Sequence, residues 1–403
     1  MGSEQILAGV RVVDMTQYLS GPTATRLLAE HGADVIKIEQ APGGDPSRTY
    51  GLLKDGRSGY YVQQNRGKRS VCLDFDTPEG RRALDALIDR ADVLVENYGP
   101  GVLERRGLDW SSVRTNRPRL IMASISGFGR DSALSHKTAF DLIAQAYSGL
   151  LYLTGENDGP PMPTGTSYAD VMSGVHAVAA IGLALFHRER TGEGQHIDIS
   201  MVDSLFHAHE MAVHGASMSG GRWKAKRSGA RSSTNAPMGV YKSPDGWVVL
   251  QVMQGQWPGF CRAIGRTDLI ADERFAGLRD RHKNRDELNA IIDGWLQSMP
   301  SDEEVLARLD AERVPSAPVM APHLAAGNPY YESRGMIRHI EDPIIGALSV
   351  PGNPLRMSAQ PGPREMVAPL LGEHNHSVLG ELGFSDAEIT AMEEAGSLRS
   401  GPT

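Results

Sequence analysis

Apolar and polar positions in the first half of the chain switch repeatedly between two periods. Val10-Arg11-Val12-Val13-Asp14 is a short β-rich run, Gly21-Pro22 punctuates it, and Ala24 to Glu30 (ATRLLAE) carries helical spacing that ends at Gly32. Asp34 to Ile38 predicts a second strand and Ser70 to Asp74 a third. Thr77-Pro78-Glu79 opens a helix predicted to run to Ala91, and Val93-Leu94-Val95 follows as a strand. Leu120 to Ser126 predicts a buried strand, Thr138 to Leu150 and Ala169 to His187 predict helices, and His196 to Met201 a strand after the turn Thr191-Gly192-Glu193-Gly194. Strands separated by helices predict parallel βαβ units, with ligands at the carboxyl ends of the strands. The fold class is therefore α/β.

The pattern changes after residue 214. Residues 215–238 are rich in Gly and Ser, and Arg222, Lys224, Lys226, Arg227 and Arg231 occur there with no acid between them. A linker is expected at 215–224. Val240-Tyr241 and Trp247 to Val252 flank Pro244-Asp245-Gly246 as a hairpin, and 256–313 reads as helical, so 225–325 is expected to form a smaller domain. From about 326 the chain is rich in Gly and Pro and ends in two helical stretches, Ser377 to Leu382 and Asp386 to Glu394. No repeat recurs at periods of 20–50 residues.

Composition narrows the class. The 403 residues are 40% hydrophobic and 22% charged, which fits a folded chain rather than a disordered one. A net charge of −8 argues against broad nucleic-acid binding, which runs on Lys and Arg. Two cysteines, Cys72 and Cys261, supply neither a disulfide framework nor a cysteine zinc site. No secretory signal is visible at the start, and no apolar stretch is expected to reach the ~18 residues of a membrane span, the longest being Ala177 to Phe186. A cytoplasmic protein is the expectation.

The common nucleotide and hydrolase signatures fail. Gly127-Phe128-Gly129 lacks a third glycine at the dinucleotide spacing. Gly67-Lys68-Arg69 resembles the end of a P-loop, but position 62 is Val and no Ser or Thr follows the Lys. No GxSxG elbow occurs. His209 and His214 are five apart, one too many for a zinc-binding HExxH, so no metal site is expected. Residue patterns alone reach an α/β enzyme and stop there.

A set of ordered blocks goes further. Leu7 to Asp14 (LAGVRVVD), Gly32 to Glu39 (GADVIKIE), Asn65 to Asp74 (NRGKRSVCLD), Ala91 to Gly101 (ADVLVENYGPG), Thr191 to Ser200 and Pro369 to His374 (PLLGEH) resemble the family III CoA-transferases, the CaiB/BaiF family. The resemblance spans nearly the whole chain. It implies a Rossmann-like large domain built from 1–214 and from 326–403 returning to it, a smaller α+β domain, and an interlocked homodimer. The substrates implied are acyl-CoA and a small carboxylic acid, with no prosthetic group. No nucleic-acid or membrane partner is expected.

Asp170, in Tyr168-Ala169-Asp170-Val171, matches the family's catalytic aspartate. Read alone it is an N-cap before an apolar run, and a helix N-terminus would favour its ionised form. The resemblance implies that it attacks the thioester to form a mixed anhydride, then an aspartyl-CoA thioester that a second acid collects. The family's racemases carry a His where Phe140 precedes Asp141, so the second base that racemisation needs is missing here; racemisation stands as the runner-up, and an inactive CoA-binding homologue is another alternative. For the cofactor the resemblance points to Tyr18, Leu19, Lys68, Arg69, Asn97, Gly99 and Arg105, with Ala139 and Phe140 beside them. Gln40, Leu19 and Ser126 depart from the Arg, Gln and Lys of formyl-CoA transferase. The segment 229–236 (GARSSTNA) stands where that enzyme has a glycine-rich lid, with Arg231 and Asn235 expected at the distal carboxylate of a dicarboxylic substrate such as succinate or mesaconate.

Overall fold

The structure, a computed structural model, describes residues 5–232, 234–360 and 366–401. The chain divides into two compact units: Met1–Leu150 with Thr164–Glu210 and Ala326–Thr403, and Leu151–Pro163 with Met211–Ala325.

The larger unit is built on six strands, β1 (Arg11–Asp14), β2 (Asp34–Gln40), β3 (Arg69–Leu73), β4 (Val93–Glu96), β5 (Ile121–Ser126) and β6 (His196–Ser200). They pair in the order β3-β2-β1-β4-β5-β6, every pair parallel. This is the doubly wound order, and the α/β expectation holds. Alternate residues supply the two faces. Val13, Ile36, Ile38, Val71, Leu73, Leu94 and Met122 pack against Leu84 and Leu87 of the helix Pro78–Asp89. Val12, Val35, Val93, Val95, Ile121 and Ala123 pack against the opposite layer. That layer contains α1 (Ser20–Glu30) and α2 (Tyr168–Thr191). Both ends of the chain serve this core, because Val378, Leu379, Ile389 and Met392 of the C-terminal helices lie under the first face. An antiparallel hairpin, Ile337–Asp342 with Gly346–Pro351, is anchored by the buried Arg57–Asp342 pair at 2.8 Å.

Three expectations change. The first helix begins at Ser20, four residues before the predicted start, because Gly21-Pro22 lies inside it. A proline in the first turn forfeits an N–H that has no partner in the helix anyway. Residues 215–218 of the expected linker belong to a helix, Ala212–Met218. Finally, α2 has a mean hydropathy of 1.7 and is long and apolar enough to cross a membrane by length and composition, since the single Gly182 does not interrupt it. Ala177, Ile181 and Ala184 of this helix are buried in the clusters around the sheet, while Val175, Leu183 and Phe186 are exposed.

The smaller unit has a three-stranded antiparallel sheet of Met238–Lys242, Trp247–Gln251 and Ser316–Pro318. Trp257, Phe260, Leu288, Ile292, Leu296 and Val305 from its helices fill its core with Val248 and Leu250.

Candidate active site

The strand order reverses between β1 and β4, and the loops leaving their carboxyl ends carry Gln17-Tyr18-Leu19 and Asn97-Tyr98-Gly99. Asn97 ties these loops together. Its Oδ1 accepts the Gln17 N–H at 2.8 Å, and its Nδ2 donates to Gln17 O at 2.8 Å and to Ser20 Oγ at 3.1 Å. Tyr18 is held at φ +61°, a left-handed conformation costing a non-glycine residue about 1–2 kcal/mol. Hydrogen bonds on both sides keep it there: Asp45 Oδ1 accepts the Tyr18 N–H at 3.2 Å, and Lys37 Nζ donates to Thr16 O at 2.8 Å. Behind the loop lies a buried cluster of three acids and three bases, paired Lys37–Asp45 (2.8 Å), Arg48–Glu39 (2.7 Å) and Lys68–Asp14 (2.8 Å).

Asp170 stands in the first turn of α2, third from its start, rather than at the N-cap, which is Ser167. The cap is supplied from elsewhere: Asp141 Oδ1 accepts the backbone N–H of Ala169 at 2.7 Å and of Asp170 at 3.3 Å. Glycine at 174, one turn on, lets α1 approach, since a Cβ there would lie 2.6 Å from Ser20 O. That close crossing brings the Ser20 hydroxyl to the Asp170 carboxylate. Because Asn97 donates to Ser20 Oγ, the serine's own proton is available for the carboxylate. Burial and the Asp141 charge outweigh this hydrogen bond and push the Asp170 carboxyl up to about 7, against the expectation that the helix end would keep it readily ionised.

Tyr60, which no sequence pattern singled out, belongs to the same cluster. Burial and the charges of Asp170, Tyr50, Asp45 and Asp141 raise its phenol well above its usual range, so it stays a proton donor. Its ring meets Tyr50 edge-on at 5.3 Å, Tyr50 meets Tyr18 at 6.4 Å, and Tyr18 meets Phe140 at 6.3 Å. The expected residues Tyr18 and Phe140 thus form one aromatic wall, with Phe140 largely exposed. Leu19 is buried beneath the same loop, and Ala139 packs beside Gly127 in the loop after β5. Gly99 and the exposed Arg105 follow β4, with the guanidinium lying over Gly101.

Two expected cofactor cations are placed differently. Lys68 is fully buried; its Nζ donates to Asp14 Oδ2 and Asn65 Oδ1, both at 2.8 Å, so it neutralises the core and cannot reach a phosphate. Arg69 opens β3 at the amino edge of the sheet, where Asp34 and Glu381 each take it at 2.7 Å. Its charge is spent at the end opposite the switch point. In the smaller unit, Arg231 pairs with Asp293 at 2.6 Å and lies over the Tyr241 ring, so its carboxylate partner is already supplied. Asn235 N–H donates to Ser232 Oγ at 3.1 Å. The segment expected to be a lid is tied down by Ser232 N–H to Met238 O and by a bridge between Arg231 and Gly239, and Ser233 lies outside the described residues. Among the described residues no group of three or more His, Cys, Asp or Glu side chains is placed to hold a metal ion.

Comparison with known proteins agrees in kind. A sequence model described as CoA-transferase family III matches residues 7–375. The chain is 38% identical to a succinyl-CoA:mesaconate CoA-transferase of Haloarcula hispanica, covering 94% of this chain and 96% of that one. It is 36% identical to a formyl-CoA:oxalate CoA-transferase of Streptomyces coelicolor (97% and 98% covered) and 35% to a succinate–glutarate CoA-transferase of Agrobacterium fabrum (93% and 95%). A crystal structure of a CaiB/BaiF family protein from Brucella suis superposes with a TM-score of 0.83 at 33% identity, covering 94% of this chain and all of that one. The chain belongs to CoA-transferase family III.

Proposed function

We propose that this protein transfers coenzyme A from an acyl-CoA donor to a carboxylic acid, with Asp170 as the nucleophile. One observation carries the reading: a carboxylate sits in the first turn of α2, half-buried, hydrogen-bonded by Ser20 and beside the loops of the strand-order switch. The Asp170 carboxylate attacks the thioester carbonyl and CoA thiolate leaves, giving an acyl-aspartyl anhydride. The thiolate returns to the aspartyl carbonyl and expels the acyl group as its acid, leaving an aspartyl-CoA thioester. The acceptor carboxylate then attacks that thioester, and the thiolate finally takes the acceptor's acyl carbon and frees Asp170. Ser20 orients the nucleophile, and the exposed aromatic wall of Tyr18, Tyr50 and Phe140 offers the acyl-CoA an apolar surface to cover. Arg105, exposed beyond β4, is the cation we assign to the CoA phosphates.

Short dicarboxylic acids are the favoured acceptors, in keeping with the succinate-using relatives. Mass spectrometry of CoA-ester exchange across mono- and dicarboxylic acids tests this, and dicarboxylates no better than monocarboxylates would overturn it. Deuterium uptake at the α-carbon without any acceptor would instead establish racemisation.

The charge of Asp141 predicts a pH effect. Asp170 is competent when ionised, so kcat/KM should climb with pH through about 7 and fall about tenfold per unit well below it. Asp141→Asn keeps an oxygen for the helix cap but removes the charge. Its acidic limb should lie about one unit lower, because burial, the larger cause, remains. An unmoved limb would show that Asp170 does not govern the profile.

The exposed apolar residues Val171, Val175, Leu183 and Phe186 of α2 favour a second copy of the chain as their cover. Sedimentation at the mass of two chains is the expected result, and a single-chain mass at micromolar concentration would contradict it.

A further inference from the structure

The larger unit holds a cavity of about 420 Å³ that plays no part in the site above. It opens beside Glu30 and His31 at the C-terminal end of α1, just before Asp34 begins β2. That places it at the amino edge of the sheet, away from the carboxyl ends that carry Tyr18 and Asn97. Its other wall is the hairpin region, with Arg334, Arg338 and Arg356.

Its electrostatics run against the rest of the molecule. In a chain of net charge −8, four of the described arginines, Arg66 included, face this cavity against two described glutamates, Glu30 and Glu332. Glu30 is already taken by Arg66 at 2.6 Å and Arg26 at 3.0 Å. Glu332 accepts the Gly327 N–H at 3.0 Å. Arg334 and Arg356 form no ion pair among the described residues. Burial, only partly countered by Glu30, combines with the like charges of Arg26 and Arg338 to hold Arg66 down at about 10, a repulsion that an anion would relieve. The remaining wall is apolar, from Ile340, Leu355 and Met357. His31 is fixed there between Gln360 (2.6 Å) and Asn353 (3.2 Å).

We propose that this cavity is a second anion site, for a phosphate ester of nucleotide size, whose phosphates meet Arg334, Arg338 and Arg356 while its apolar part rests on Ile340, Leu355 and Met357. The volume suits such a ligand, since small-molecule pockets span roughly 300–1,000 Å³. Arginine suits phosphate because its planar fork donates two parallel hydrogen bonds.

Calorimetry tests this on the full-length protein loaded with one equivalent of CoA per chain, so that the transferase site is occupied without excess CoA to fill the second site. ADP and inorganic pyrophosphate are the probes, and citrate is the carboxylate control. The expected result is one saturable site per chain for ADP, weaker binding of pyrophosphate, and little for citrate. The double variant Arg334→Ala/Arg356→Ala should weaken ADP at least tenfold while leaving melting temperature and turnover unchanged, because both side chains are exposed and remote from Asp170 in the fold. No saturable ADP binding, ADP displaced by CoA, equal binding in the double variant, or citrate preferred over ADP would each overturn the proposal.

Discussion

Asp170→Asn is expected to lower CoA transfer by at least about 10³-fold while CoA still binds with near-native affinity. The amide keeps the volume and one oxygen for Ser20, but it offers no anionic nucleophile. After incubation with succinyl-CoA and borohydride, peptide mass should show Asp170 of the native enzyme reduced to an alcohol and the same peptide of the variant unmodified. The variant should also be at least as stable as the native protein near pH 8. In the folded state the Asp170 carboxyl titrates at about 7, above its ordinary value of 3.8. Between those values the folded protein binds more protons than the unfolded one, so this group's contribution to stability is lost as pH rises through that window. The full difference is up to roughly 4 kcal/mol. A carboxylate that costs stability where it is chemically needed fits a working nucleophile better than a helix cap. Transfer surviving in the variant, with Asp170 unlabelled in the native enzyme, would overturn the assignment.

Lys68→Met is expected to destabilise the protein by about 3–5 kcal/mol, with the loss appearing in urea unfolding rather than in KM for the CoA ester. Removing the ammonium strands Asp14 without its nearest cation. Burial raises the Asp14 carboxyl, and the charges of Lys68 and then Lys37, with hydrogen bonds from Lys68 and Thr16, bring it far below the usual range. Lys68 itself is pulled by burial to about 8, with Asp14 offsetting part of that shift. The pair therefore holds together by mutual need rather than by spare attraction. Asp14 also accepts from the Thr16 N–H at 2.9 Å and from Thr25 Oγ1 at 2.7 Å, so disturbing it loosens the turn beneath Tyr18. A raised KM at unchanged stability would instead return Lys68 to the cofactor-binding role that the family resemblance implies.

The six strands were legible because their signal is local. Val12-Val13, Val35-Ile36 and Ile121-Met122-Ala123 are apolar on consecutive positions, as strands covered on both faces require. The start of α1 was missed because Gly21-Pro22 looks like a turn in isolation. In the fold it lies in the first turn, where the N–H that Pro22 lacks would have had no helical partner. Tyr60 gave no signal, because the carboxylates that act on it, Asp170, Asp45 and Asp141, are brought to it by the fold rather than by its neighbours in sequence.

The chain alone thus determined the family, the order of strands and helices, and Asp170 as the residue to examine, since each follows from neighbours within a few positions or from ordered blocks. Tertiary structure decided what each charged group does. Asp14 and Lys68 are 54 positions apart and Asp141 and Asp170 are 29, yet each pair interacts directly. Whether a lysine binds ligand or balances a core, and whether a carboxyl titrates near 4 or near 7, depends on burial and on charges a few ångströms away. Those distances exist only in the folded chain.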